Sequence, residues 1–437
     1  MTPVTRTKRA ALLATVGFLS LGLASCGDSS TEADAPSESD PVTITYTHRL
    51  PDGEGMTTVQ EQVDEWNAAN PGIQVEPTKF DGEAAEMSVR LETDINAGNG
   101  PCLAQMGYAE VPEAYVKGLL ADVTEEAAAY EEDFSEGARG LMQVGDATVG
   151  LPQDIGPLVY YYNETEFENL GIEVPTNLDE FRAAAETAAA DGKNIAAFMP
   201  DEGQYWLSAQ AAAAGDTWFS TNGDAWVVNA NGDGAQNVAS LWQDLLDNDE
   251  VLVQQRWGDG FTQALTDGTL IGHVGAAWEA GFLLDDLDGT EAEGQWRVAQ
   301  LPDYGNGVMS GPDGGSGVAV MDGCENPEAA LEFLDWLNTS GDFLASQGLV
   351  PAADIEVETP EKMTRQFGGQ DVMGELAVAT ENLNPDFPYA PGFSSLVTMS
   401  EEASNVAAGD AQVTDIFETA QTTAVATLEN LGLPVSE

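Results

Sequence analysis

Side chains able to do covalent or proton-transfer chemistry are scarce in this sequence. Its two histidines, His48 and His273, belong to no Ser-His-Asp arrangement and no H-E-x-x-H zinc helix, and the chain has no C-x-x-C pair and no phosphate-cradling G-x-x-x-x-G-K loop. Triad hydrolysis and metal catalysis lack their usual ligands, so no metal site and no cofactor is expected. The nearest metal-like phrase is Asn229, Asn231, Asp233 and Gly234, which imitates the start of a calcium loop but puts Ser240 where the bidentate glutamate should stand. It reads as a turn ahead of a helix that starts near Ala235. Carboxylates number 75, and a glycosidase pair is defined by a separation in space, so composition leaves that chemistry open.

What the chain does hold is aromatic residues, nine Trp and ten Tyr among them, in company with acids. Tyr46, Tyr108, Tyr205, Trp206, Trp218, Trp257 and Trp278 stand at strand ends or beside glycine, where loops enter the clefts of open α/β sheets. An aromatic face matches the weakly apolar CH face of a pyranose, and Asp, Glu, Asn and Arg hydrogen-bond its hydroxyls. The same rings pack equally well in cores, and Trp66, Trp242 and Trp336, which sit in helical apolar patterns, are assigned there.

The elements that must position these residues alternate. A strand over 42–47 is followed by helical spacing of Val59, Val63 and Trp66, which Pro71-Gly72 stops. A strand over 73–76, a helix marked by Met87, Leu91 and Ile95, and a strand over 102–107 complete β-α-β-α-β, the order of a parallel sheet with helices on its faces. A second α/β unit is expected beyond Leu151. It has strands over 158–162, 195–198 and 271–276, a helix that Thr176 begins with Asp179 as its capping-type acid, and helices carrying Leu241, Leu245, Leu246, Phe261 and Leu265. A strand over 318–321 leads to Asn326-Pro327, an N-cap and first-turn proline before Ala330, Phe333, Leu334 and Leu337. A long helix is expected over 413–431.

The chain has 437 residues with 75 acidic against 14 basic side chains, a formal charge of −61, and 43% apolar residues. That is apolar material enough for two or three domains, and it rules out global disorder. The acidic surface removes the electrostatic drive for nucleic-acid binding. The acids are spread along the chain, which suggests a surface suited to saline or alkaline surroundings.

The N-terminus reads as an export signal: Arg6, Lys8 and Arg9 precede an apolar run over 10–23 that is short for a membrane span. Leu23-Ala24-Ser25-Cys26 resembles the lipobox of bacterial lipoproteins, which implies cleavage after residue 25 and lipidation of Cys26. Residues 27–40 are small and polar, a solvated linker. Cys102 and Cys324 are left for an oxidising compartment, where they form either a disulfide, the expectation here, or two buried thiols.

Several phrases in order resemble the extracellular sugar-binding proteins of ABC importers, the maltose-binding-protein-like family. Trp66-Asn67-Ala68-Ala69-Asn70-Pro71-Gly72-Ile73 is similar to the family's opening, and Gly118-Leu119-Leu120-Ala121-Asp122 to its G-x-L-x-D phrase. Gly150-Leu151-Pro152 leading to Leu158-Val159-Tyr160-Tyr161-Tyr162-Asn163 resembles its hinge crossing. Gly275-Ala276-Ala277-Trp278 resembles its stacking-tryptophan strand, and Gly314-Gly315-Ser316-Gly317 its return crossing. Cys102, where the family usually has an acid, and Leu178, where it often has tryptophan, depart from the pattern.

The resemblance implies an α/β two-lobe periplasmic-binding-protein fold with hinge crossings and a C-terminal helical segment: lobe I from 41–152 and 315–346, lobe II from 153–314 and 347–437. It implies ligand contacts from His48, Arg49, Tyr108, Glu110, Asp154, Tyr205, Trp206, Trp278, Glu279, Gly314, Gly315, Tyr389 and Phe393. Of these, His48 and Arg49 are equally an exposed loop pair, Asp154 a hinge residue, and the two glycines hinge points. The function implied is capture of a neutral sugar, a di- or oligosaccharide, and delivery to an ABC permease. The chain would be a monomer, lipid-anchored on the outer face of the cytoplasmic membrane, catalysing nothing. Two other readings stay open, a surface glycosidase and a receptor for a cationic or zwitterionic solute held in an aromatic cage.

Overall fold

The computed structural model describes residues 41–82 and 84–436. The signal segment, Cys26 and the linker lie outside the described residues.

Strand β1 (Val42–His48) pairs in parallel with β2 (Ile73–Lys79) and β3 (Leu103–Gly107), and helices α1 (Val59–Ala69) and α2 (Ala84–Asn96) make the crossovers. Helix α1 starts on a capping box in which the Thr58 hydroxyl accepts from the Glu61 N–H and the Glu61 carboxylate accepts from the Thr58 N–H. It ends at Asn70, before Pro71-Gly72. The turn is then locked: Trp66 Nε1 donates to the Ile73 carbonyl at 3.1 Å, and the Asn67 amide exchanges bonds of 2.7 and 2.9 Å with the Val75 backbone.

The sheet continues through a 14-residue strand, β4 (Gly150–Asn163). Its first half pairs with β7 (Pro312–Val320) and its second with β5 (Gly272–Ala276) and β6 (Trp296–Ala299). Strand β8 (Val350–Pro351) pairs with Ile155 and Asp154 at its middle. The result is one eight-stranded sheet, order β5-β4-β7-β3-β1-β2, with β6 and β8 also on β4. The expected second unit is therefore not a separate sheet. Every strand that joins β4 runs antiparallel to it, and β4 and β7 are the two that cross between the halves.

Alternation along the strands builds two cores on the N-terminal half of the sheet. Ile44, Tyr46, Leu103, Leu151, Val318 and Val320 face helix α8 (Pro327–Asn338), while Ala104, Met106, Val149, Ala319 and Met321 face the α2 side. Each fully buried branched side chain contributes about 1.5–3 kcal/mol over its exposed state. A third, larger core gathers Tyr160, Tyr161 and the helices α3 (Glu164–Leu170), α4 (Leu178–Ala190), α5 (Gly203–Ala213), α6 (Asp233–Asp247), α7 (Asp259–Thr266) and α9 (Val413–Asn430). Trp66 and Trp242 are buried, and Trp336 packs half-buried on Trp66 at 5.3 Å.

Local expectations shift by a residue or two. The cap of α4 is Asn177, whose side chain accepts from the Glu180 N–H at 3.0 Å, so the acid in the capping position is Glu180 rather than Asp179. Asn326 precedes Pro327 but makes no side-chain cap bond. The strand expected over 195–198 is reduced to Ala197–Phe198. The turn before α6 is held from elsewhere in the fold, since the buried Asp216 carboxylate accepts from the Gly234 and Ala235 N–H groups at 2.8 and 2.7 Å. Cys102 and Cys324 are joined in a disulfide that ties the start of β3 to the loop before α8. Among the described residues no helix is long and apolar enough to cross a membrane, and no cluster of His, Cys, Asp or Glu could hold a metal.

Candidate functional site

A cavity of about 300 Å³ lies where β4 and β7 cross between the halves. The ends of β1 and β3 and one face of α2 form one wall. The start of α5, the turn after β5 and the Asp313–Ser316 stretch of β7 form the other. Two glycines at the crossing make that stretch possible. Gly314 and Gly315 both have φ of 83°, and the register of β7 on β4 shifts between Pro312 and Gly315. A Cβ on Gly314 would lie 3.1 Å from Trp278 Nε1, and one on Gly315 3.0 Å from the Gly156 nitrogen.

That bulge presents acids to the cavity. Asp154 is buried, and its Oδ1 accepts from the Ser316 N–H at 3.0 Å and from the Ser316 hydroxyl. Burial outweighs those bonds and pushes its carboxyl up to about 7. Burial likewise pushes Asp313 up to about 7, against the pull of Arg256, whose Nη1 lies 3.9 Å away. Asp313 Oδ2 and the buried hydroxyl of Tyr108 have no hydrogen-bond partner. Glu110, also raised by burial, accepts from the Tyr205 hydroxyl and so joins the two walls. Gly107 leaves room for it, since a Cβ there would displace the Glu110 carboxylate from its present position.

Trp278 is the main ring of the site. Its Nε1 donates to the Asp313 carbonyl at 2.9 Å, and the Arg256 guanidinium stacks 4.6 Å from its centroid. Arg256 is itself fully buried and bonded to Glu279, with Glu202 3.3 Å away. Glu279 also accepts from the Ala276 N–H at 2.7 Å and meets His273 Nε2 at 2.8 Å. Burial alone would raise the Glu279 carboxyl, but Arg256 and His273 outweigh it and hold it low. Arg256 thus anchors the indole from behind.

Of the expected contacts, Arg49, Tyr108, Glu110, Asp154, Tyr205, Trp278, Gly314, Gly315 and Tyr389 line the cavity. Four do not. His48 is buried beside Tyr46, and burial pushes its imidazole down to about 4. Trp206 packs on Trp242 at 4.7 Å and donates to the Val274 carbonyl. Glu279 is the counter-charge of Arg256, and Phe393 is a buried ring under Tyr205 and Tyr389. The sequence reading missed Gln105, Glu202, Phe282, Asp313 and Ser316. Gln105, a lone polar side chain in an apolar strand, donates to Ser316 Oγ at 2.9 Å and accepts from the Arg49 N–H at 2.7 Å. Asp313 and Ser316 flank the glycine pair, and the glycines are the only signal of them that the sequence carries.

The sequence profile of the bacterial extracellular solute-binding proteins matches residues 51–342. The chain belongs to that family. Among solved structures it resembles the galacto-N-biose/lacto-N-biose I-binding protein of the ABC transporter from Bifidobacterium longum, in complex with lacto-N-biose. The identity is 50%, the TM-score 0.88, and the match covers 91% of this chain and 99% of that one. A binding protein from B. animalis subsp. lactis, in complex with β-1,6-galactobiose, shares the fold at TM-score 0.76 and 22% identity, over 91% and 100% of the two chains. A maltooligosaccharide ABC transporter solute-binding lipoprotein of Streptococcus pneumoniae is 27% identical over 348 residues, 76% of each chain. This member of the family is an exported solute-binding protein of an ABC transporter and not an enzyme, which removes the glycosidase reading. Its fold is the two-lobe α/β fold of these binding proteins.

Proposed function

We propose that this solute-binding protein captures a neutral di- or oligosaccharide between its lobes and presents it to an ABC permease. The observation that carries this reading is Trp278, backed by Arg256 and set in the wall of a cavity that Tyr108, Glu110, Asp154 and Asp313 also line. A ring to stack on, with hydroxyl and carboxyl groups beside it, suits a pyranose. The relative at 50% identity holds a sugar, lacto-N-biose. Against a cationic solute stands the charge of the walls: burial raises Asp154, Asp313 and Glu110 toward their neutral forms, and Arg256 already occupies the aromatic and acidic environment a cation would need. Lobe I on this reading is 41–152 with 315–346, lobe II is 153–314 with 347–437, and the protein acts as a monomer tethered through lipidated Cys26. Fatty-acid labelling that Cys26→Ser abolishes checks the tether.

Isothermal titration of the mature chain with lacto-N-biose, β-1,6-galactobiose, maltose, spermidine and glycine betaine tests the ligand class. A neutral disaccharide is expected to bind, and Trp278→Ala to weaken it by about 1–3 kcal/mol, roughly 5- to 150-fold, with the fold retained. Binding confined to spermidine or betaine, or no binding by any disaccharide, overturns the proposal.

A further inference from the structure

Glu110 and Glu113 stand three residues apart, one just before and one within the short helix Val111–Val116, a spacing that puts both on one helix face. On the lobe division proposed above they belong to lobe I, and each is bonded to a side chain of lobe II. Glu110 accepts from the Tyr205 hydroxyl, and Glu113 Oε2 accepts from the Ser394 hydroxyl at 2.6 Å. The two bonds differ in what a ligand can reach. Glu110 and Tyr205 line the main cavity, where sugar hydroxyls compete for both groups. Glu113 and Ser394 do not line it; they line a neighbouring cavity of about 200 Å³ that shares Ser88, Leu91, Met106 and Glu110 with it.

Both ends of the outer bond are held in place. Lys117, one turn after Glu113, bonds Glu113 at 2.9 Å and Glu92 of α2 at 3.0 Å, which fixes the carboxylate against the lobe I wall. Burial alone would raise the Glu113 carboxyl, but the bonds from Lys117 and Ser394 outweigh it and hold it low, so the Ser394 bond is charge-assisted. On the other side, Ser394 follows Phe393, whose buried ring lies 5.7 Å from that of Tyr205 and whose carbonyl accepts from the Gln204 side chain at 2.8 Å. Gly392, with φ of 88°, makes the turn that brings this stretch against α5.

We propose that Glu113 and Ser394 form a latch that touches no ligand, holds the lobes together before a sugar arrives, and so sets how tightly any sugar is retained. The inference rests on the sugar reading above and extends it to residues outside the cavity. A bond made only where the lobes meet favours the closed state with or without ligand. A ligand enclosed between the lobes gains apparent affinity in proportion to the fraction of molecules already closed, whatever its own contacts.

The test is a double-mutant cycle. Wild type, Ser394→Ala, Glu113→Ala and the double variant are titrated calorimetrically with lacto-N-biose, β-1,6-galactobiose and maltose, and small-angle X-ray scattering measures each protein without sugar. Thermal unfolding checks that each variant is folded. Each single variant is expected to weaken every sugar that binds by the same factor, roughly 2- to 13-fold, the range of one net hydrogen bond. The double variant should lose no more than either single one, and the unliganded radius of gyration should rise in all three. Unchanged affinity in either single variant, losses that add in the double variant, a loss confined to one sugar, or an unchanged radius overturns the latch and leaves the sugar reading standing. Should no sugar bind the wild type, the sugar reading fails and the scattering decides alone: a larger radius in Ser394→Ala upholds the latch, and an equal one overturns it.

Discussion

Asp154 shows how a single carboxyl couples the site to pH. It is buried in the crossing strand, receives two bonds from Ser316 and has no cation in contact, so desolvation dominates and its carboxyl rises to about 7. An unfolded Asp titrates near 3.9, so between about pH 4 and 7 the folded chain keeps a proton that the unfolded chain has released. Stability from this group is therefore lost as pH rises through that window and levels off above it. Asp313 acts in the same sense, and His48, pushed down to about 4, in the opposite sense between about pH 4 and 6.5. Asp154→Asn keeps the acceptor for Ser316 and removes only this titration. Denaturant unfolding is expected to show variant and wild type alike below about pH 4, with the variant gaining steadily above it, by up to about 4 kcal/mol at pH 8. A difference that does not change with pH would mean that Asp154 stays ionised throughout.

At the scale of elements, sequence and structure agree best where one element decides the outcome, with caps and ends displaced by a residue or two. The spacing of Val59, Val63 and Trp66, the stop at Pro71-Gly72 and the alternation in β1 are local facts, and the structure keeps them. The direction of a strand's neighbours is not local, which is why the antiparallel second half around β4 could not be read from its run of apolar residues. The site repeats the lesson. Three of the four residues that lie off the cavity adjoin one that lines it: His48 beside Arg49, Trp206 beside Tyr205, Glu279 beside Trp278. A phrase locates the end of an element, but which of two neighbours faces the cleft depends on what the other side packs against. Adjacent strand residues point to opposite faces, and adjacent helix residues lie about 100° apart, so one of each pair goes to the core or to Arg256. Asp313 and Ser316 were missed for a related reason: Gly314 and Gly315 advertise an unusual backbone, but only the bulge itself shows that the flanking acid and hydroxyl line the cavity.

For the whole molecule the governing quantity is charge, −61 over the full sequence with only 14 basic side chains to offset 75 acids. Self-repulsion of that size opposes compaction, and screening should relieve it, since the Debye length falls from about 30 Å at 0.01 M to about 3 Å at 1 M salt. The melting temperature without ligand is expected to rise by several degrees between 10 mM and 1 M NaCl. Most of the rise should come at low salt, where the screening length passes through the dimensions of the surface. Among the described residues no acidic cluster is arranged to hold a metal, so NaCl and KCl should act alike at equal ionic strength. A flat melting temperature would mean that the acids are spaced too far apart to repel. The same salt series also separates surface from cleft. A neutral sugar brings no charge into the cavity, so its dissociation constant should stay nearly constant while stability climbs, whereas a cationic solute would bind more weakly with every added increment of salt.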